Sequence, residues 1–236
     1  MRTPIYDVYA ERSPNVVKVT IALAELGEEW RDMWVDVARG AQHEADFQAL
    51  SPNGRIPLLV DRAPADGGEP FAVWESGSIL LYLADKAGRF APTGGRARTE
   101  CLTWLFWQMA GLGPMSGQNA HFLQYTPPGS DYAMNRYHTE VDRLYRVLER
   151  QLAGRDWIAG EYSIADMACF PWVRMAKPLA HDISDLPNLH RWKRRMMQRP
   201  AVDAAYQRLN ALPQGTATKE ERFTAMSPAR GLSAVS

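Results

Sequence analysis

Three short segments of this 236-residue chain hold residue types that can do chemistry together. Ser13-Pro14-Asn15 sets a hydroxyl and a carboxamide at a predicted helix start, where backbone N–H groups lack partners. Gly54-Arg55-Ile56-Pro57 puts an X-Pro bond just ahead of an apolar strand, Leu58-Leu59-Val60. Most X-Pro bonds are trans, but the position just before an apolar strand favours cis, and a cis bond would turn the Ile56 amide and carbonyl toward an added peptide strand. Trp74-Glu75-Ser76-Gly77 ends a strand and opens an apolar helix. Ser76 and its amide can take a carboxylate at that helix N-terminus, and Glu75 can take an ammonium. A backbone edge and a helix N-terminus side by side suit a small, extended peptide, above all one that carries a thiol.

The sulfur chemistry can be sized. A thiol of pKa about 8.5 is only about 3% thiolate at pH 7. Lowering that pKa to about 6.5 needs about 2.7 kcal/mol of preferential stabilisation of the anion. A hydrogen bond to a charged group supplies about 1.5–3 kcal/mol and a helix N-terminus about 0.3–1. One donor from Ser13 or Asn15 plus the helix end therefore suffices, with no metal, protein thiolate or tyrosine. Neither cysteine, Cys101 or Cys169, lies in the first ninety residues, so the attacking sulfur must come from the ligand. Both sit in apolar helical stretches, form no CxxC and are read as buried and inert. Cysteine and histidine spacings give no metal site. Tyr6 and Tyr9 are read as strand packing.

The elements that must position these residues follow from periodicity. Strands are predicted over 5–10, 29–37, 57–61 and 71–74, and helices from Ser13 to Gly27, over 44–50 and from Ser76 to Gly88. The order β-α-β-α-β-β-α gives a mixed sheet with helices on its faces, a thioredoxin-like domain over 1–90. Residues 91–95 read as a linker. Beyond it the pattern is helical throughout 96–212: a long stretch over 96–124 bent at Gly111-Leu112-Gly113-Pro114, an amphipathic helix over 132–152, and helices over 187–198 and 201–210. Ser163-Ile164-Ala165-Asp166 is read as a capping box, and Pro171 as a kink in the helix that follows. The tail, 213–236, is expected to be loose or to drape over the body.

Lys plus Arg and Asp plus Glu number 27 each, so the chain lacks the basic surplus of a nucleic-acid binder. The basic cluster at 191–195 is read as a solvated helix face. No apolar run is long enough to span a bilayer, and the first residues carry no apolar signal stretch. The chain is read as a soluble, cytoplasmic protein.

A thioredoxin-like domain joined near residue 92 to an all-helical one resembles the glutathione transferase superfamily. Ser13-Pro14-Asn15, Ile56-Pro57, Gly67-Gly68-Glu69-Pro70, Glu75-Ser76-Gly77, Trp104-Leu105-Phe106-Trp107-Gln108 and Gly111-Leu112-Gly113-Pro114-Met115 resemble the bacterial nu-class branch, which includes disulfide-bond oxidoreductases. The resemblance spans roughly residues 5–205. It implies a homodimer that binds glutathione or its disulfide as co-substrate and reduces disulfides, with organic hydroperoxide reduction in some members. It implies that Ser13 and Asn15 lie near the sulfur, Gln42 at the glycyl end, the Ile56 backbone at the cysteinyl unit, and Glu75 and Ser76 at the γ-glutamyl end. It also implies that Arg136 reaches back to the ligand from the helical domain. Arg55 is a further candidate for the glycyl carboxylate. Met115, Gln118, Asn119, His121 and Phe122 are expected to wall a second-substrate pocket. Trp104, Phe106 and Trp107 are assigned to core or dimer interface. The chain departs from the family at Val16, where relatives often carry Gly. Two other readings share the fold: a conjugating transferase, and a non-catalytic assembly or regulatory module.

Overall fold

A computed structural model of the chain describes residues 4–126 and 129–226. Four strands, β1 (Tyr6–Ala10), β2 (Trp30–Trp34), β3 (Leu58–Asp61) and β4 (Phe71–Trp74), form one mixed sheet in the order β2-β1-β3-β4. β1 and β2 are parallel, with Tyr6 opposite Trp30; β1–β3 and β3–β4 are antiparallel. The parallel pair is joined by α1 (Pro14–Leu26), the helical crossover that parallel neighbours need. β2 stops three residues earlier than its apolar pattern predicts. Asp36 accepts the Arg39 N–H, and Gly40 takes φ +84°, so the chain turns through two short 3-10 segments, Val37–Arg39 and Ala41–His43, instead. α2 (Ala45–Leu50) and α3 (Ser76–Ala87) complete the first domain.

Helix α1 explains how the two domains hold together. Its residues from Val16 through Leu23 are all buried, because it packs on α3 within its own domain and on two helices of the other. Those two are α7 (Ile164–Arg174) and α9 (Pro200–Ala211). A helix that is apolar nearly all round has to be enclosed, and this one is. One contiguous core therefore runs from Val8 and Leu59 in the sheet through Val19 and Leu23 to Phe170 and Trp192 in the helical domain.

The rest of the helical domain comprises α4 (Gly95–Trp107), α5 (Gly113–Tyr125), α6 (Asp131–Gln151) and α8 (Pro187–Met197). α4 and α5 are not separated by a simple bend at Gly-Leu-Gly-Pro. A π turn, Gln108–Leu112, carries the helix through that point, with Pro114 the second residue of α5. α7 likewise continues through Pro171 to Arg174. Part of the tail lies on the body, the second of the two expected alternatives: α10 (Lys219–Met226) packs against the 3-10 segment Val37–Arg39. Residues 1–3 and 227–236, including the remainder of that tail, lie outside the described residues. No helix among the described residues is long and apolar enough to cross a membrane.

The capping box is present as read from the sequence. Ser163 caps α7, and Asp166 returns to the Ser163 N–H at 3.0 Å. Asp166 also accepts from the Ile158 N–H at 3.0 Å and the Trp192 indole at 2.8 Å, all fully buried. Asp166→Ala strands those three donors, and the expected cost is about 3–5 kcal/mol in urea unfolding. A loss below about 1 kcal/mol would show that the donors find other partners.

Candidate active site

The first turn of α1 opens into a cavity of about 620 Å³ between the sheet domain and α5, α7 and α10. Its shape follows from three local choices. Ser13 is the N-cap of α1: its Oγ accepts the Asn15 N–H at 3.2 Å, which leaves the hydroxyl hydrogen for another partner. Asn15 is fixed from the helical domain. The Trp172 indole N–H donates to Asn15 Oδ1 at 3.2 Å, so the carboxamide's Nδ2 donors are left for the cavity it lines. Val16 is fully buried in the core, so its bulk is turned away from the cavity.

The second choice is the stretch around Ile56, whose bond to Pro57 is cis. Arg55, Ile56 and Pro57 line the cavity, with Arg55 exposed. Beside them Gln42 is buried, and its Oε1 has no hydrogen-bond partner among the described residues. A buried carbonyl oxygen left open at a cavity wall is a place for a ligand donor.

The third is the strand-to-helix turn. Glu75 takes φ +68°, a left-handed conformation uncommon for a non-glycine residue, and precedes Ser76, the first residue of α3. Its exposed carboxylate accepts from Asn53 Nδ2 at 3.1 Å. Ser76 is buried and lines the cavity, and its Oγ accepts from the Lys18 ammonium at 3.2 Å. Lys18 also donates to Gln108 Oε1 at 2.8 Å. Burial pushes this amine down to about 7.

Seven sequence-identified residues thus meet in one cavity: Ser13, Asn15, Gln42, Arg55, Ile56, Glu75 and Ser76. His121 joins them from α5. Met115, Gln118, Asn119 and Phe122 do not line it, for a helical reason. The face of α5 turned to the cavity is Gly117, Ala120, His121, Gln124 and Tyr125, spaced three and four apart. Asn119 points into the helical domain, where its Nδ2 lies 2.9 Å from His181 Nε2. Phe122 stacks on Tyr137, Met115 packs against the core, and Gln118 is exposed. Arg136 does not line the cavity either; it lies 3.7 Å from Glu140 one turn along α6 and is largely exposed.

Several lining residues were not singled out from sequence. Trp172 and Arg222 lie far along the chain, and neither carries a local signature. Arg222 comes in from α10 and pairs with Glu11 at 3.6 Å. Lys18 did carry a signal, as the lone cation in the run Val16-Val17-Lys18-Val19. The two cysteines are free and buried, and burial pushes both thiols up, so neither is a nucleophile. Tyr6 and Tyr9 do not line the cavity. Away from it, His138, Asp142 and His181 cluster. The His181 ring nitrogens face Asp142 and Asn119, and the two imidazoles stack in near-parallel planes, so their lone pairs do not converge.

Comparison with known proteins agrees with this architecture. The glutathione S-transferase N-terminal domain family matches residues 12–86, and the corresponding C-terminal domain family matches residues 119–200. The chain belongs to the glutathione S-transferase family. It is 46% identical over 200 residues to the disulfide-bond oxidoreductase YfcG of Escherichia coli K12, covering 84% of this chain and 93% of that one. It is 38% identical over 209 residues to a second such protein of that organism, YghU, covering 83% and 72% of the two chains. Among solved structures, a glutathione transferase from Burkholderia graminis with two glutathione molecules bound per subunit is 38% identical, with a TM-score of 0.78 and 89% of each chain covered. One from Pseudomonas putida with one glutathione disulfide bound per subunit is 34% identical, with a TM-score of 0.79, covering 88% of this chain and 92% of that one.

Helix α3 is seated so closely that a Cβ on Gly77 would lie 2.8 Å from Met109 Cγ. Gly77→Ala should push Met109 into the cavity and lower stability by about 1–3 kcal/mol in urea unfolding. An unchanged unfolding midpoint would mean that Met109 yields without cost.

Proposed function

We propose that this protein is a glutathione-dependent disulfide-bond oxidoreductase, in which the reacting sulfur belongs to bound glutathione. The observation that carries the reading is the Ser13–Asn15 corner. Two side-chain donors and a helix N-terminus meet there, Trp172 fixes the orientation of one of them, and both protein cysteines are buried elsewhere. The tripeptide would lie with its γ-glutamyl end at Glu75 and Ser76, its cysteinyl unit along Ile56, and its glycyl end toward Gln42 and Arg55. The open Gln42 Oε1 can accept the glycyl N–H there, which leaves the glycyl carboxylate for the Arg55 guanidinium. The YfcG and YghU likenesses favour disulfide reduction over conjugation.

The chemistry is two thiol–disulfide exchanges. Bound glutathione loses its proton to solvent. Its thiolate attacks one sulfur of the substrate disulfide, a new S–S bond forms, and the other substrate sulfur leaves as thiolate and takes up a proton. A second glutathione thiolate then attacks the mixed disulfide, releasing the second substrate thiol and glutathione disulfide. Two electrons pass from two glutathiones to one substrate disulfide. The protein orients the sulfurs and ionises one of them; no metal is called for. His121 and the α5 face beside it would meet the substrate.

This reading puts the protein in the cytoplasm, where thiols are kept reduced. It also makes the working form a homodimer, with Phe106, 62% exposed on α4, as a candidate contact. Asn15→Ala removes one hydrogen bond to a charged sulfur. Glutathione-dependent reduction of a small disulfide should fall about ten- to hundredfold while the melting temperature stays within a few degrees. Unchanged turnover would move the sulfur-stabilising role away from Asn15.

A further inference from the structure

We propose that Lys18 is a buried counter-charge for the γ-glutamyl carboxylate, acting through the Ser76 hydroxyl, so that ligand binding draws a proton onto Lys18 Nζ. The inference deepens the function proposed above and rests on its placement of the γ-glutamyl end at Ser76.

Lys18 leaves α1 on the side that α3, α7 and the π turn enclose, and it is 1% exposed. All its hydrogen-bond partners are neutral: Gln108 Oε1, Ser76 Oγ and, at 3.5 Å, Met109 Sδ. Among the described residues, no carboxylate lies within ion-pair distance of its Nζ. A methionine would fill the same volume without the penalty of burying an unpaired cation. The penalty falls instead on an amine placed directly behind a cavity wall. Because Nζ donates to Ser76 Oγ, the Ser76 O–H proton is directed elsewhere, and Ser76 lines the cavity at the first turn of α3. The ammonium, the hydroxyl and the helix N-terminus therefore all favour negative charge at one spot.

Of the other titratable groups facing Nζ, Glu75 favours the charged form, but from beyond ion-pair distance and too weakly to offset burial. Glu75, from the start of α3, is exposed and engaged by Asn53. Cys169, from α7, keeps its proton because burial pushes its thiol up. The π turn contributes Gln108 and Met109, which are neutral. With its affinity for a proton lowered by burial to about 7, the amine is partly deprotonated in the empty site at neutral pH. A carboxylate arriving at Ser76 favours the charged form, and the proton comes from solvent.

The test uses S-methylglutathione, which has no thiol proton to release. Its binding to the full-length protein is measured by calorimetry at pH 7.0 in phosphate and in Tris, whose ionisation enthalpies differ. The expected result is a net uptake of a few tenths of a proton at pH 7.0 that vanishes near pH 5.5. The Kd should rise above pH 7 with a slope approaching tenfold per pH unit. In Lys18→Met the uptake disappears and Kd is weaker and flat from pH 6 to 8; an uptake arising at His43 or His121 would survive that substitution. Ser76→Ala, which leaves Lys18 and both histidines in place, should also lower the uptake and keeps the test open if Lys18→Met fails to fold. Binding of S-methylglutathione with no proton uptake overturns the role of Lys18 and leaves the glutathione site standing. No binding at all overturns the glutathione site and this inference with it.

Discussion

The hydrogen bond from the Trp172 indole to Asn15 Oδ1 joins the two domains at the point where chemistry is expected. It is possible only because α1 is enclosed by the sheet domain on one side and by α7 and α9 on the other. The same enclosure makes the helix apolar nearly all round, brings its N-cap to the cavity and forces Lys18 inside. A sheet domain alone would leave Asn15 free to turn either end of its carboxamide toward a ligand. The helical domain removes that freedom, which is how a site built from modest donors becomes a preorganised one.

Magnitudes decide what kind of catalyst this can be. The thiol needs about 2.7 kcal/mol to become largely ionised at neutral pH, within reach of one charge-assisted hydrogen bond and a helix end. A cysteine of the protein's own is not needed, and Cys101 and Cys169 are sealed in the helical core in any case. The charges around the cavity fit a zwitterionic peptide. Glu75 and Glu11 offer negative charge, while Arg55, Arg222 and, from behind, Lys18 offer positive.

Much of the fold was legible because it rests on short-range rules. Alternation gave the four strands, Gly27 and Gly88 ended their helices in left-handed turns, and Ser163 with Asp166 announced α7. The cavity-lining Ser13, Glu75 and Ser76 were legible for the same reason, since each sits at a helix start, whereas Gln42 came from the family resemblance alone. What failed depended on rotation about a helix axis or on distant chain. Met115, Gln118, Asn119 and Phe122 do not line the cavity, because which face of α5 meets it depends on the helix's rotation, which a stretch of sequence does not show. Trp172 and Arg222 reach the cavity through packing that no local pattern encodes. Arg136, implied as a ligand contact by family resemblance alone, sits beside Glu140 four residues along α6. Lys18 was in plain view as a cation in an apolar run, and its meaning needed the Ser76 contact.

Everything proposed for the chemistry depends on a ligand sulfur losing its proton at the Ser13–Asn15 corner. Titrating the ultraviolet absorbance of glutathione thiolate in the saturated protein measures this directly. A midpoint near or below pH 7 is expected, against about 8.5 for an unperturbed thiol. A bound thiol that still titrates near 8.5 would mean that this corner holds the peptide without activating it.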